Sequence, residues 1–314
     1  MDNLTTALSQ IVETSSILTD KISSVNVKSE AILSRLLTLE DQVESLKYVN
    51  AEVIGVITES INQPDKEIVI NISEPVSGTT TVTAKDINVK NLSVADGNTK
   101  LIATDDVTIK SFSTSGDLPK ATSNYQVSIN TDGYVKITQS DIDQTSYNAI
   151  EVGLSTTPKS VIIDGVSFNS ALTNNAISIF GTQDGGTITI SNCNFAKCSN
   201  PIRLSNKTGG KVTVNIIDCT FGEWETIPAY AGMICCEDYT SKSVETEIEN
   251  NLFAPDKVTI NIINCTKGGN KITMTTPKSV CATSNADTQL LYVFNDVGKA
   301  VAYDINRYPT LTIK

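Results

Sequence analysis

The chain has 314 residues, 39% of them hydrophobic and 5% aromatic, with a formal net charge of −11 and no histidine. That charge excludes a surface that neutralises nucleic-acid phosphates or settles on anionic lipid. The missing imidazole removes the commonest general base, the Ser–His nucleophile pair and the commonest metal ligand.

Met1-Asp2-Asn3-Leu4 lacks the basic and apolar segments of a secretory leader, and no apolar run is long enough to span a bilayer. Folding in a cytoplasm without membrane insertion is the expectation. The seven cysteines all follow residue 190 and form no CxxC pair, so free thiols are expected.

Residues 4 to 60 carry a heptad. Position a reads Leu8, Ser15, Ile22, Ser29, Leu36, Val43, Asn50 and Ile57. Position d reads Leu4, Ile11, Leu18, Val25, Ile32, Leu39, Leu46 and Val53. A globular helix drifts from a strict 3.5 repeat over this length, so the pattern predicts a left-handed coiled coil ending near Asn62, with Pro64 as the stop. β-branched residues at half of the d positions disfavour a parallel dimer. Arg35-Leu36-Leu37-Thr38-Leu39-Glu40 is similar to a short trimerisation motif in which Arg at g and Glu at the next e pair across chains. The expectation is a parallel homotrimer whose seam includes Leu18, Ile22, Ile32, Arg35, Leu36, Leu39, Glu40, Val43 and Leu46. Asn50 at a sets its register.

From residue 66 a second pattern recurs: alternating β-branched residues, a small polar turn, then an apolar anchor. It appears as Ile87-Asn88-Val89, Val107-Thr108-Ile109, Val135-Lys136-Ile137 and Val161-Ile162-Ile163. Ile188-Thr189-Ile190-Ser191-Asn192-Cys193-Asn194-Phe195 then matches Val214-Asn215-Ile216-Ile217-Asp218-Cys219-Thr220-Phe221. Ile260-Asn261-Ile262-Ile263-Asn264-Cys265-Thr266 follows the same plan, with Lys267 in place of Phe. Steps from Val89 through Ile109, Ile137, Ile163, Ile190 and Ile217 recur at solenoid spacing. The longer step to Ile263 fits two coils with a diverged middle.

Leucine ladders are missing, so a right-handed parallel β-helix fits best. Cys193, Cys219 and Cys265 should form an inward column, as should Phe168, Phe195 and Phe221. Asn192, Asp218 and Asn264 should stack at the turns. Ile177-Ser178-Ile179, Ile202-Arg203-Leu204, Met233-Ile234-Cys235 and Ile272-Thr273-Met274 supply a second strand. Adjacent Cys235 and Cys236 should place one thiol inward and one at the surface. Leu290–Phe294 and Ala300–Tyr303 read as a hairpin followed by Leu311-Thr312-Ile313, which together cap the solenoid. The organisation expected is a coiled-coil stalk over 1–62, β-helix repeats over 63–285 and a β cap over 286–314.

The chemical candidates are acidic. Glu223-Trp224-Glu225 follows one coil directly, and Glu237-Asp238 follows the next strand. Paired carboxylates beside an aromatic platform suit glycan cleavage, with Trp224 as the glycan contact. On so acidic a chain the simpler reading is solvated loop acids, so no catalytic residue is assigned. Neither a metal site nor a cofactor is expected.

A trimeric coiled coil leading into a β-helix with a C-terminal cap resembles the fibres and tailspikes of tailed bacteriophages. The resemblance rests on the heptads, the Arg35–Glu40 segment and the coil repeats, and it covers nearly the whole chain. It implies a structural virion protein, a capsid head fibre or decoration protein, assembled in the host cytoplasm and displayed on the virion surface. The coiled coil starts almost at Met1, which favours a head fibre held by its N-terminal end to the capsid or another virion structural protein. The β-helix would then meet a host surface or glycan. The alternative is a tailspike-like glycan depolymerase using the loop carboxylates.

Overall fold

The computed structural model describes residues 2–47, 51–54, 60–72, 76–114, 125–142, 148–169, 172–196, 198–222, 233–237, 253–274, 292–296, 299–300 and 309–314. The chain divides into two compact units, Met1–Val49 and Asn50–Lys314.

The first unit is a single helix, α1, spanning Asp2–Lys47. Within it, the hydroxyls of Thr14 and Thr19 donate to the carbonyls of Gln10 and Ser15, one turn back. The helix predicted to reach Asn62 stops fifteen residues short. Ala51–Ile54 is instead a strand, pairing Ala51 with Ile68 and Val53 with Ile70. The physical reason is a competition between two periods. Val53 fits the heptad, but Ala51 and Val53 also alternate, and β-branched residues gain more on a pleated sheet than at a fraying helix end. Asn50 and Ile57 lie outside the described residues.

The second unit is mainly β. Its strands pair parallel from one coil to the next, an arrangement consistent with a β-solenoid. On the first face, residues 68–70 stack on 87–89, then 107–109, 135–137, 161–163, 188–190, 214–216, 260–262 and 311–313. Beyond the rung at Ile68–Ile70, where Val69 is buried too, it alternates. The inward pairs from Ile68 and Ile70 to Ile260 and Ile262 are buried, and Leu311 and Ile313 pack against them. The second face is narrower. It runs from residues 92–94 through Phe112–Thr114, Asp141–Ile142, Ser167–Phe168, Asn194–Phe195 and Thr220–Phe221 to Thr266–Lys267. The third runs from residues 99–103 through Val127–Thr131, Asn148–Val152, Leu172–Ile179, Cys198–Leu204 and Ile234–Glu237 to Tyr292–Asp296.

The repeat reading holds in most registers and fails in two. Val89, Ile109, Ile137, Ile163 and Ile190 are direct partners, as their spacing predicts. Ile190, however, pairs with Ile216, and Ile217 points outward. The step expected to hold two coils is one: Val212–Ile217 pairs directly with Val258–Ile263, and the residues between them form the rest of a single, longer coil. The diverged stretch carries no aliphatic triplet that could occupy the first face. Ile234–Glu237 serves the third face instead, pairing Ile202 with Ile234 and Leu204 with Cys236.

Between the first and second faces, the chain turns through the left-handed region at Gln139, Gly165, Asn192, Asp218 and Asn264. Asn and Asp tolerate this conformation better than other side chains. Each turn amide donates to the next rung, as from Asn192 to Ile217 at 3.0 Å and from Asn264 to Lys314 at 3.0 Å. Asn192 Nδ2 reaches back to Asp164 Oδ1 at 2.8 Å, and Asn264 Nδ2 to Asp218 Oδ1 at 2.6 Å. This is the stacked polar ladder expected from the repeat.

The residue after each turn points inward. Ser140, Val166, Cys193, Cys219 and Cys265 fill this corner, and all are buried. The cysteine thiols donate to carbonyls two residues back, Cys193 to Ser191 at 3.2 Å and Cys265 to Ile263 at 3.3 Å. The Ser140 hydroxyl does the same to Thr138 at 3.0 Å. Below them Phe168, Phe195 and Phe221 stack, and the column passes to Lys267, itself buried.

At the C-terminal end, Thr310–Ile313 adds a rung to the first face and Tyr292–Asp296 adds one to the third. The predicted hairpin is present, with Asp296 paired antiparallel to Lys299. Ile272-Thr273-Met274 does not continue the third face. That place goes to Tyr292–Asp296, whose strand matches Ile234–Glu237 residue for residue.

Candidate functional site

A parallel strand with one face in the core and one in water alternates between buried and open side chains, as on the first face. Over several rungs the third face does not alternate. Every residue of Val127–Thr131 is buried, and so are Asn175 to Ile179 and Met233 to Cys236. Its outward positions form one register column: Lys100, Ser128, Glu151, Ser178, Arg203 and Cys235. Cys235 and Cys236 are therefore both buried, where one was expected at the surface. Opposite sides of a strand do not mean opposite exposures when both sides are covered.

Glu151 stands at the centre of this column and is 5% exposed. Ser128 Oγ donates to Glu151 Oε1 at 2.9 Å, and Asn130 Nδ2 donates to Ser128 Oγ at 3.3 Å. Asn130 Oδ1 accepts from the Ser155 amide at 2.8 Å, tying the column to the adjoining corner. Burial holds the Glu151 carboxyl above its ordinary range, and the Ser128 hydrogen bond, Arg203 and Lys100 pull it partly back. Burial and the Glu151 charge raise the Tyr125 phenol in turn. The Arg203 guanidinium lies over the Phe180 ring, 5.5 Å from its centroid. A carboxyl this enclosed is closed to a polymeric substrate. The arrangement fixes adjacent rungs by charge and hydrogen bonding.

The adjoining corner has its own fastening. Lys207 Nζ donates to the carbonyls of Gly153, Leu154 and Thr156, the last two at 3.1 and 2.5 Å. Burial lowers the pKa of this ammonium, while Asp132 supports its charge.

The residues singled out from the sequence fall differently. On α1, Leu18, Ile22 and Ile32 are 58, 54 and 60% exposed, and Arg35 is exposed beside them. Leu36, Leu39, Glu40, Val43 and Leu46 lie on the same helix, with side chains outside the described set. Glu223, Trp224, Glu225 and Asp238 lie outside the described residues. Glu237 ends its strand opposite Asn295, and its side chain lies outside the described set too. Among the described residues, no group of three or more His, Cys, Asp or Glu could hold a metal ion. No described helix is long and apolar enough to cross a membrane.

Comparisons with models of protein families, with curated proteins and with solved structures found no match. The functional reading rests on geometry.

The Glu151 column escaped the sequence reading, although its signal was present. Ile150-Glu151-Val152, Ile177-Ser178-Ile179 and Ile202-Arg203-Leu204 share one pattern. A central position reading Glu, Ser, Arg marks one coil-to-coil column.

Proposed function

We propose that this chain is the subunit of a homotrimeric fibre, a structural protein of a tailed-phage virion that presents a β-solenoid to a host surface. The observation that carries the reading is the state of α1. Leu4, Leu8, Ile11, Leu18, Ile22, Val25 and Ile32 hold a and d positions, interrupted only by Ser15 and Ser29, and all stand open to solvent in the single chain. Burying such side chains is worth about 1.5–3 kcal/mol each, so a seam of this length favours association. A strict heptad is met by copies of the same helix, and β-branched residues at d favour three strands. The long stack of parallel rungs supplies a stiff body of the kind a fibre needs. The N-terminal end would anchor to the capsid or another virion structural protein. The β-solenoid would meet host surface or glycan.

Light scattering on the full chain tests the assembly, and antibody labelling of phage particles tests its place. A trimer mass with label on the particle surface is the expected result; a monomer overturns the reading. Release of new reducing ends from host polysaccharide would replace adhesion with the depolymerase alternative.

A further inference from the structure

The inward corner after each turn needs only a small side chain, since Ser140 and Val166 fill it in the earlier coils. In the three later coils it is filled by sulfur. Cys193, Cys219 and Cys265 are 2, 1 and 1% exposed and belong to the hydrophobic core. We propose that neighbouring thiols of this column bind a soft monovalent cation, Cu(I), in linear coordination between two coils. The proposal goes beyond the fibre reading and does not rest on it.

The three side chains repeat one orientation. Cys193 Sγ lies 3.2 Å from the carbonyl of Ser191 and 3.7 Å from that of Ile163, one coil back. Cys219 Sγ lies 3.4 Å from the Ile217 carbonyl and 3.5 Å from that of Ile190. Cys265 Sγ lies 3.3 Å from the Ile263 carbonyl and 3.5 Å from that of Ile216. Sulfurs placed alike on successive rungs are separated by about the rung spacing, ~4.8 Å. Neighbouring thiols are within hydrogen-bonding reach, Cys265 of Cys219 and Cys219 of Cys193. The Cys219 amide also donates to Cys265 Sγ at 3.4 Å. A zinc–thiolate bond is ~2.3 Å long, so two metal–sulfur bonds of that scale in line span ~4.6 Å. An ion held between two opposed sulfurs therefore fits between adjacent rungs without moving the backbone.

The surroundings select the ion. Structural zinc takes four ligands, and calcium and magnesium take six or more, mostly oxygen. Among the described residues no cluster supplies even three His, Cys, Asp or Glu ligands. A soft cation such as Cu(I) prefers sulfur and is satisfied by two donors in line. A buried site also disfavours net charge. Cu(I) between one thiolate and one thiol is neutral. One S–H bond breaks, two Cu–S bonds form, a single proton leaves to solvent, and copper stays Cu(I). The Cys219–Cys265 pair joins positions 46 apart in sequence, so an ion there also fastens the longest coil to its neighbour.

Cys219 belongs to both adjacent pairs, whereas Cys193 and Cys265 belong to one each. That difference is the test. The full chain and its variants Cys193→Ser, Cys219→Ser and Cys265→Ser are loaded with Cu(I) under ascorbate without oxygen, then challenged with a chromophoric Cu(I) chelator. Serine suits this corner, because Ser140 holds it with the same bond to the carbonyl two residues back. Circular dichroism confirms the fold, and Cys219→Val, after Val166, repeats the test should the serine variant fail to fold. Cys219→Ser should retain one Cu(I) fewer per chain than the full chain, while at least one flanking variant retains it. X-ray absorption should show two sulfur neighbours and the edge of linear Cu(I), lost in Cys219→Ser. The other cysteines are a background common to every chain. Equal copper in all four chains overturns the proposal, as does equal loss in all three variants or no Cu(I) held by the full chain.

Discussion

Phe168 and Phe195, one coil apart, lie with ring centroids 5.0 Å apart and planes 7° from parallel. Phe195 meets Phe221 in the same way at 5.0 Å and 9°. The rungs fix this spacing, because paired parallel strands sit ~4.8 Å apart and carry their inward side chains with them.

Phe195 therefore has a stacked ring on both sides. Phe195→Ala should destabilise the solenoid by about 3–5 kcal/mol, since neighbours held by the rungs cannot collapse into the cavity. Phe195→Leu should cost less. Denaturant unfolding of both variants measures the difference.

The turn at Asn192 combines a left-handed backbone with a side-chain bond to Asp164. Asn192→Gly loses only the bond, about 1 kcal/mol. Asn192→Ala loses the bond and adds left-handed strain, about 2 kcal/mol in all. Melting temperatures should rank wild type, Gly, then Ala.

Burial keeps the Glu151 carboxyl above its ordinary value of 4.5. The folded chain then holds a proton that the unfolded chain has released. Stability from this group is full below the unfolded value and is lost as pH rises through the higher folded value. Glu151→Gln should flatten that fall. Asp164 runs the other way. Hydrogen bonds from Asn192 and Ser191 hold its carboxyl below 3.8, so its contribution is present above that value and is lost as pH falls through the lower folded one. Denaturation midpoints across the acid range, for Glu151→Gln and Asp164→Asn separately, resolve the two slopes.

Lys207 satisfies three carbonyls of one corner with a single ammonium. Lys207→Met should cost about 1–2 kcal/mol, the value of a charge-assisted group discounted for its partial exposure. The loss should be local. Hydrogen exchange should accelerate around Gly153 to Thr157 and leave the first-face strands protected.

The hydrogen bond the Cys219 thiol donates to Cys193, together with burial, pushes that thiol up to about 12. It should resist maleimide until the chain unfolds. Ser140 holds the equivalent corner with the same bond to the carbonyl two residues back, so Cys219→Ser should change stability by about 1 kcal/mol or less. Thiol labelling with and without denaturant checks the first expectation, and urea unfolding checks the second.

The sequence by itself determined the repeating parts. Alternating aliphatics, the turn residues Asn192, Asp218 and Asn264, and the Phe and Cys columns were legible because a period-two strand is a local pattern and stacking copies it from coil to coil. Only the tertiary structure decided where two burial partners compete. Ala51 to Ile54 left the helix because an open sheet edge was within reach. Ile216 took the inward place over Ile217 because only that register aligns Val212–Ile217 with both neighbouring rungs. The step from Ile217 to Ile263 became one coil because Val212–Ile217 pairs directly with Val258–Ile263 and Ile234–Glu237 between them joins the third face. Glu151, Ser178 and Cys235 hold outward register positions and are buried all the same, because burial depends on what lies over a strand, and no local pattern contains that layer.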